Sequence, residues 1–449
     1  MCIRDRDVMS SMFGRKEVVF GLLLVMFVVG LGAGYMVGVA SVPTTEGEAG
    51  LSGQVKVVFL APLTGVLSTY GENSKYAALL AAQEVNQWLE ARGESWTFNL
   101  TVDDTATDPT TALSKMQSWH GAGVQFFVGP MSSGEVSELK SYADSNHLLV
   151  ISPSSTSPAL SIPDDYIFRY CPDDFIQGPA IARLMWEAGV RHVVVTWRGD
   201  TWGDGLKNAT ATAFEDLGGT VHDAVRYDPN LTDFPTQASA LADAVQDLVD
   251  DGIPKSEIGV LAISFEEIVP YMEDASAYPI LSEVNWFGSD GTCLLSSLLE
   301  NSVARSFAAT VNFTNTIFAP GVSPKFEHVR DYINETLGRT PDSYAYNTYD
   351  IVWTLALALE AVDEYNATAV KEVLPSIVSN YFGASGWFEL NENGDRAFAD
   401  YNLWTVKVVD DNYQWVFVGV WRGATDVIEW KANISVSYTH LRAHETRHD

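Results

Sequence analysis

The chain has 449 residues, of which 47% are hydrophobic, so it is long enough to bury a large core and to form two or three domains. Its 58 acidic residues outnumber its 27 basic residues, which gives a formal net charge of −31. A charge of this sign repels nucleic acid and anionic membrane surfaces, and it keeps a protein soluble.

An apolar segment follows Arg15 and Lys16 near the N-terminus. Residues 18–43 carry no charge, and this run is long enough for the roughly 20 residues that span a bilayer. It exceeds the roughly 7–15 apolar residues of a signal peptide, although small residues near its end leave cleavage open. We therefore predict an anchor, with residues 1–17 as a cytoplasmic leader and residues 44–54 as a linker.

The sequences at the N-terminus and the C-terminus do not continue the periodic patterns of the neighbouring segments. Residues 1–6 and 436–449 resemble translated adapter sequence and are excluded from fold prediction, so we treat 431–449 as a tail. Cys2 is excluded with the leader. Cys171 and Cys293 remain, as one disulfide or as two buried thiols.

From Val55 onward, predicted strands and helices alternate. The strands are Val55–Ala61, Thr97–Asp103, Val124–Val128, Leu148–Ser152, Tyr166–Tyr170, His192–Thr196, Thr220–Val225, Ile258–Ile263 and Val284–Gly288. The helices are Glu72–Ala91, Pro109–Gly121, Glu135–Asn146, Phe175–Ala188, Gly203–Leu217, Pro235–Asp251, Glu266–Ser276 and Ser343–Glu364. Asn402–Val409 and Tyr413–Trp421 are predicted to form a hairpin. Such alternation predicts an α/β fold with parallel sheets in two lobes.

Two small polar clusters follow adjacent predicted strands. They are Gly129–Gly134 and Ser154–Ser157. Ligands of open α/β sheets bind beyond the carboxyl ends of the strands, where helix N-termini present N–H groups. The pattern predicts a small anionic group held by hydroxyls and amides. It does not predict a P-loop, because Gly134 is followed by Glu135 and not by Lys.

Asn-x-Ser/Thr triplets are frequent and favour a glycosylated, extracytoplasmic protein. They occur at Asn99, Asn208, Asn230, Asn312, Asn334, Asn366 and Asn433.

No set of residues predicts an enzyme, a cofactor or a metal site. The histidines before residue 431 lack metal-ligand spacing, and no serine lies in a G-x-S-x-G context. We expect Glu266 and Glu267 to be solvated, and Asp103 or Asp104 to cap the helix that begins near Pro109.

Val55–Trp430 resembles the extracytoplasmic solute-binding proteins of branched-chain amino-acid ABC transporters. The matching segments are VKVVFLAPLTGVLSTYGE, VDDTATDPTTAL, FFVGPMSSGE, LLVISPSSTSPAL, IFRYCPDDFIQGPAIARLM, TWGDGL, WFGSDG and SYAYNTYD. The resemblance implies a type I periplasmic-binding fold, with two doubly wound parallel-sheet lobes joined by three crossover strands. Lobe 1 would be 55–171 and 312–399, lobe 2 would be 172–311 and 400–430, and the ligand would lie between them.

The resemblance also implies the ligand-binding residues. The hydroxyls of Ser133 and Thr156, with backbone groups at Ser154 and Ser155, would hold a carboxylate. Asp290 would hold the ammonium, although a turn or cap aspartate is an alternative interpretation. The aromatic walls would be Tyr70, Trp202 and Phe265. Trp202 and Phe265 stand where tyrosines are common in the family, which leaves the choice among leucine, isoleucine, valine and other amino acids open.

The predicted function is capture of a small α-amino acid by lobe closure and its delivery to an ABC permease, outside the cytoplasm, by an anchored or secreted protein. An alternative keeps the fold and makes it a ligand-sensing ectodomain or a binder of amides or urea-like solutes. The role of Asp290 distinguishes an amino-acid-binding protein from an amide-binding protein, because an amide has no ammonium group that needs an acidic partner. The SYAYNTYD motif, with Tyr344, is assigned a structural role.

Overall fold

The computed structural model describes residues 50–431. The predicted leader, the apolar segment 18–43, most of the linker and the tail after residue 431 lie outside this range. No helix within residues 50–431 has the length and apolar character needed to cross a membrane.

Strands and helices alternate along the described chain. The strands are β1 Gly53–Ala61, β2 Trp96–Asp104, β3 Phe126–Val128, β4 Leu149–Ser152, β5 Ile167–Arg169, β6 His192–Arg198, β7 Thr220–Tyr227, β8 Ile258–Ile263, β9 Asn285–Gly288, β10 Thr314–Phe318, β11 Tyr401–Val409, β12 Asn412–Arg422 and β13 Val427–Trp430. The α-helices are α1 Ser68–Arg92, α2 Pro109–Gly121, α3 Ser133–Asn146, α4 Asp174–Glu187, α5 Thr201–Asp216, α6 Pro235–Asp250, α7 Ile268–Ala275, α8 Ser296–Glu300, α9 Ser302–Thr310, α10 Pro324–Leu337, α11 Ser343–Val362 and α12 Ala367–Ser379.

The first sheet has five parallel strands in the order β2-β1-β3-β4-β5. Every residue of β3 and β4 is buried, which fits their continuous apolar sequences, because parallel strands are covered by helices on both faces. On one face, Phe127 and Val150 pack with Val136 and Leu139 of α3. The carboxyl ends of β3 and β4 are therefore held next to each other, and so are the loops that follow them.

The second sheet has eight strands in the order β13-β12-β11-β10-β9-β8-β6-β7. The strands from β6 to β10 pair in parallel, whereas β11, β12 and β13 extend the sheet in antiparallel fashion. Asp410 and Asp411 connect β11 to β12 with φ angles of 48° and 62°. A two-residue turn with two positive φ angles matches the right-handed twist of a hairpin.

The chain passes from the first sheet to the second after β5, leaves the second sheet after β10 to form helices that contact the first sheet, and returns before β11. The boundaries of the lobes remain a prediction. Strand β10, however, lies within the second segment that the sequence analysis assigns to lobe 1, and it pairs with β9 and β11 of the second sheet.

The predicted fold class is confirmed, and so is the alternation of strands and helices. The sequence analysis missed β10 because its first three residues are buried polar side chains, Thr314, Asn315 and Thr316, which do not form an apolar run. It also missed β13, α8, α9, α10 and α12. Cys171 and Cys293 are separate buried thiols, and burial raises the pKa of both.

Candidate functional site

Ser133 is the first residue of α3, and its position is fixed by the cap of that helix. The Ser132 hydroxyl accepts a hydrogen bond from the Glu135 backbone N–H, and the Glu135 carboxylate accepts one from the Ser132 N–H. This capping box gives hydrogen-bond partners to two backbone N–H groups that have none within the helix. Ser133 thus lies where a helix N-terminus favours an anion.

The loop after β4 packs directly on Ser133. The Ser155 hydroxyl and the Ser157 backbone N–H both donate to Ser133 Oγ, each at 3.1 Å. Because Ser133 Oγ already accepts two hydrogen bonds, its own proton is available for donation to a ligand oxygen. Ser154 is held beside it by a hydrogen bond to the Met131 carbonyl oxygen.

The same loop is fixed from behind by a buried arginine at the first chain crossing. Arg169 forms a bidentate pair with Asp395, and both side chains are 1% exposed. Its remaining nitrogen, Nη1, donates to the carbonyl oxygens of Ser155 and Ser157 at 3.0 Å and 2.8 Å. Charge-assisted hydrogen bonds are stronger than neutral ones, and a bidentate pair also fixes the orientation of the arginine side chain.

Two aromatic rings, from a helix and a loop next to the second sheet, form an apolar wall. Trp202, in α5, stacks on Phe265, which follows β8, with ring centroids 4.5 Å apart and an interplanar angle of 21°. A Cβ atom on Gly291 would lie 2.6 Å from the Trp202 ring and 2.5 Å from the Ser264 carbonyl oxygen. Only glycine fits at position 291, because any side chain would displace the wall or the backbone.

Asp290 follows β9 and begins a short turn that the Ser289 side chain caps. It is 4% exposed, and Tyr344 in α11 donates its hydroxyl proton to Asp290 Oδ2 at 2.5 Å. Burial raises the pKa of the Asp290 carboxyl, while the hydrogen bonds of Tyr344 and Gln177 oppose that rise. The Tyr70 hydroxyl donates to the Asp290 carbonyl oxygen at 2.6 Å and fixes the turn.

These groups line one cleft, whose empty space is about 290 Å³ when the part open to solvent is included. Six predicted site residues line it: Tyr70, Ser133, Ser154, Trp202, Phe265 and Asp290. The other two predicted site residues, Ser155 and Thr156, do not line the cleft and are buried, at 0% and 1% exposure. The sequence analysis did not assign five further lining residues: Leu67, Met131, Ser132, Gly291 and Tyr344.

Tyr344, to which the sequence analysis assigns a structural role, also lines the cleft and donates its hydroxyl proton to Asp290 Oδ2. The expectations for the acidic residues are wrong. Glu267 is 4% exposed and pairs with Arg198, so it is not solvated. The cap of α2 is Asp108, since Asp103 binds Lys115 and Asp104 binds the Leu63 and Thr64 backbone.

Glu266 also differs from expectation, because it connects the two sides of the cleft. It accepts a hydrogen bond from the Thr69 backbone N–H at 2.9 Å, and its own N–H donates to the Val66 carbonyl oxygen at 3.1 Å. Within residues 50–431, no group of three or more histidine, cysteine, aspartate or glutamate side chains is arranged to hold a metal ion.

The sequence model of the receptor family ligand binding region matches residues 73–408, which is well over half of the chain. The chain belongs to this family. The family binds ligands, which confirms the prediction of a binding protein rather than an enzyme.

Three proteins to which the chain is similar illustrate the relationship. An uncharacterized protein of Methanocaldococcus jannaschii is 32% identical over 409 residues, with coverage of 86% of this chain and 94% of that protein. The Leu/Ile/Val-binding protein BraC3 of Rhizobium johnstonii is 27% identical over 48% of this chain, and the match spans only 58% of that relative. The leucine binding protein LivK of Thermotoga maritima superposes with a TM-score of 0.69 at 21% identity, covering 82% of this chain and 98% of that structure. The similarity to solved structures confirms the type I periplasmic-binding fold.

Proposed function

We propose that this member of the receptor family ligand binding region captures a small α-amino acid, branched-chain or otherwise hydrophobic, and delivers it to an ABC permease. The observation that carries the proposal is the convergence of three kinds of group in one cleft. The side chains of Ser133 and Ser154, the Asp290 carboxyl and the stacked rings of Trp202 and Phe265 all line this cleft.

Each group matches one part of an α-amino acid. The ligand carboxylate accepts hydrogen bonds from Ser133 and from the N-terminus of α3, without a cationic side chain. The ligand ammonium lies against Asp290, because a buried cation without a counter-charge is costly. The ligand side chain contacts the aromatic wall, whose flat rings suit an apolar group.

Capture requires that the cleft opens and closes. We propose that the three chain crossings act as the hinge. Contacts from Tyr70 to Asp290 and from Thr69 to Glu266 then belong to the closed form. A ligand that touches both sides favours closure, since it binds the closed form more tightly. We place the protein outside the cytoplasm, anchored through residues 18–43 or secreted.

A thermal-shift screen of the purified full chain tests the ligand class. The ligands are the twenty amino acids, acetamide, urea and benzoate, with calorimetry on each ligand that stabilises the protein. A ligand at 100 times its dissociation constant adds about 2.7 kcal/mol of stability. We expect hydrophobic amino acids to stabilise the protein, whereas benzoate, which lacks an ammonium group, does not.

Asp290→Ala should abolish that response, because it removes the ammonium partner. Asp243→Ala, on the exposed side of α6, is the matched control and should leave the response unchanged. Stabilisation by acetamide or urea, with no response to any amino acid, would reject the amino-acid proposal in favour of the amide alternative. Amino-acid binding without transfer to a permease would favour the ligand-sensing ectodomain.

A further inference from the structure

Arg198, the last residue of β6, lies next to the apolar wall, and it does not line the cleft. It is 5% exposed, and its guanidinium carbon lies 4.0 Å from the centroid of the Phe265 ring. A guanidinium comes this close to a ring centroid only above the face of the ring, where a cation is attracted to the π-electrons. The buried arginine therefore packs on the face of one of the two wall residues.

Phe265 is held between two partners. The second partner is Trp202, whose ring centroid lies 4.5 Å from that of Phe265 at an interplanar angle of 21°. Two groups this close to the centroid of one ring would overlap if both lay on the same face, so Arg198 and Trp202 lie on opposite faces. The Phe265 ring is thus sandwiched, and its position depends on Arg198.

One side of the guanidinium is bound to the segment that carries Trp202. Arg198 Nε donates to Asp200 Oδ2 at 2.6 Å. Asp200 is the N-cap of α5, and its Oδ1 accepts a hydrogen bond from the Gly203 backbone N–H at 2.8 Å. Gly203 also packs on Arg198, because a Cβ atom on Gly203 would lie 2.9 Å from Arg198 Cγ. The first turn of α5, which contains Trp202, is therefore supported by Arg198.

The other side of the guanidinium is bound to the segment that carries Phe265. Arg198 Nη1 donates to Glu267 Oε1 at 2.5 Å, and Glu267 is 4% exposed. The Tyr227 hydroxyl lies 3.2 Å from the same carboxylate oxygen and 2.8 Å from the hydroxyl of Ser264, the residue before Phe265. A planar fork that binds two carboxylates and a ring face at once is a property of arginine and not of lysine.

We propose that Arg198 is a positioning residue, which sets the selectivity of the cleft for the ligand side chain by holding Phe265 against Trp202. The inference rests on the proposed function, since it concerns the wall of the same cleft. The ion-pair partners of Arg198 among residues 50–431 are Asp200 and Glu267, and neither lines the cleft. Arg198 therefore affects the binding of the ligand side chain and not the binding of the ligand carboxylate and ammonium.

Calorimetry with L-leucine and L-alanine tests this role, because the two ligands share their carboxylate and ammonium groups and differ in the side chain that meets the wall. In Arg198→Lys of the purified full chain, the ratio of leucine affinity to alanine affinity should fall by about threefold to tenfold, with alanine affinity nearly unchanged. Arg183→Lys, at an ion pair with Asp426 outside the cleft, is the matched control and should keep the wild-type ratio. An equal fall of both affinities in Arg198→Lys, or an unchanged ratio, overturns the inference.

Two further variants show whether Arg198 acts through Phe265. In the Phe265→Leu background, Arg198→Lys should change the ratio no further, whereas an equal fall in both backgrounds overturns the inference. Asp200→Asn keeps the cap of α5, because asparagine caps helices about as well as aspartate, and it removes only one charged partner of Arg198. Asp200→Asn should lower the ratio by a smaller factor, and an unchanged ratio there overturns the inference if Arg198→Lys does not fold.

Nitrogen-15 NMR of the ligand-free protein separates the inference from the proposed function. The indole N–H signal of Trp202, identified by its loss in Trp202→Phe, senses the ring current of the stacked Phe265. In Arg198→Lys this signal should move toward its position in Phe265→Leu, and a signal that stays at the wild-type position overturns the inference. Failure of every amino acid to bind overturns the proposed function and the selectivity role with it, whereas the indole signal still reports whether Arg198 positions the wall.

Discussion

At the scale of single residues, Asp342 caps the N-terminus of α11 and is buried, so its ionisation lowers the stability of the folded protein. Its carboxylate accepts hydrogen bonds from the Tyr344 backbone N–H at 2.9 Å and from Asn73 at 2.8 Å. Burial nevertheless raises its pKa to about 6. Because the unfolded pKa is about 3.9, the folded protein binds more protons between about pH 4 and 6. Asp342 therefore makes the protein less stable as the pH rises through that window.

Asp342→Asn should remove this dependence, since asparagine caps helices about as well as aspartate. The wild type should lose on the order of 2 kcal/mol of unfolding free energy relative to the variant between pH 4 and 6. Urea unfolding of both proteins at four pH values measures the difference. Hydrogen bonds from Thr64 and from backbone N–H groups outweigh burial and lower the pKa of Asp104, so Asp104→Asn should give the opposite slope. A constant difference between wild type and Asp342→Asn contradicts the prediction.

At the scale of elements, the turn between β11 and β12 stores backbone strain that a substitution relieves. Asp411 occupies the second turn position with φ of 62°, where glycine is preferred. Asp411→Gly should raise the unfolding free energy by up to about 1 kcal/mol, and chemical denaturation measures it.

The control is the same aspartate-to-glycine substitution at a position where the backbone is helical. Asp243→Gly, in the middle of α6, should lower the unfolding free energy by about 1 kcal/mol. If both variants lose stability by similar amounts, the turn does not prefer glycine and the strain argument fails.

The elements also explain what the sequence predicted and what it did not. Ser133 and Ser154 follow apolar strands at the expected edge of a sheet, so local patterns suffice to find them. Tyr344 and Glu266 act on partners 54 and 197 residues away in sequence, and no local pattern contains that information.

At the scale of the whole molecule, Glu266 holds the two sides of the cleft together. Glu266→Ala removes the hydrogen bond from Thr69 while the backbone bond to Val66 remains. A net loss of about 0.5–1.5 kcal/mol from the closed form should weaken ligand affinity by roughly twofold to tenfold. Calorimetry with L-leucine measures the affinity, and small-angle scattering should show a larger radius of gyration without ligand.

Glu283→Ala, at an exposed ion pair with Lys255 away from the cleft, is the control and should change neither quantity. Unchanged affinity and radius in Glu266→Ala would show that this contact does not contribute to closure.

The arginine at the first chain crossing has a consequence for protein engineering. Arg169 donates hydrogen bonds to the carbonyl oxygens of Ser155 and Ser157, so this part of the loop's support does not depend on the side chains that the loop carries. A combinatorial library at Ser154 and at the wall residue Trp202 would therefore alter selectivity on a constant frame. With a fluorescent reporter attached, the protein becomes a starting point for biosensors whose specificity is chosen by side-chain exchange alone.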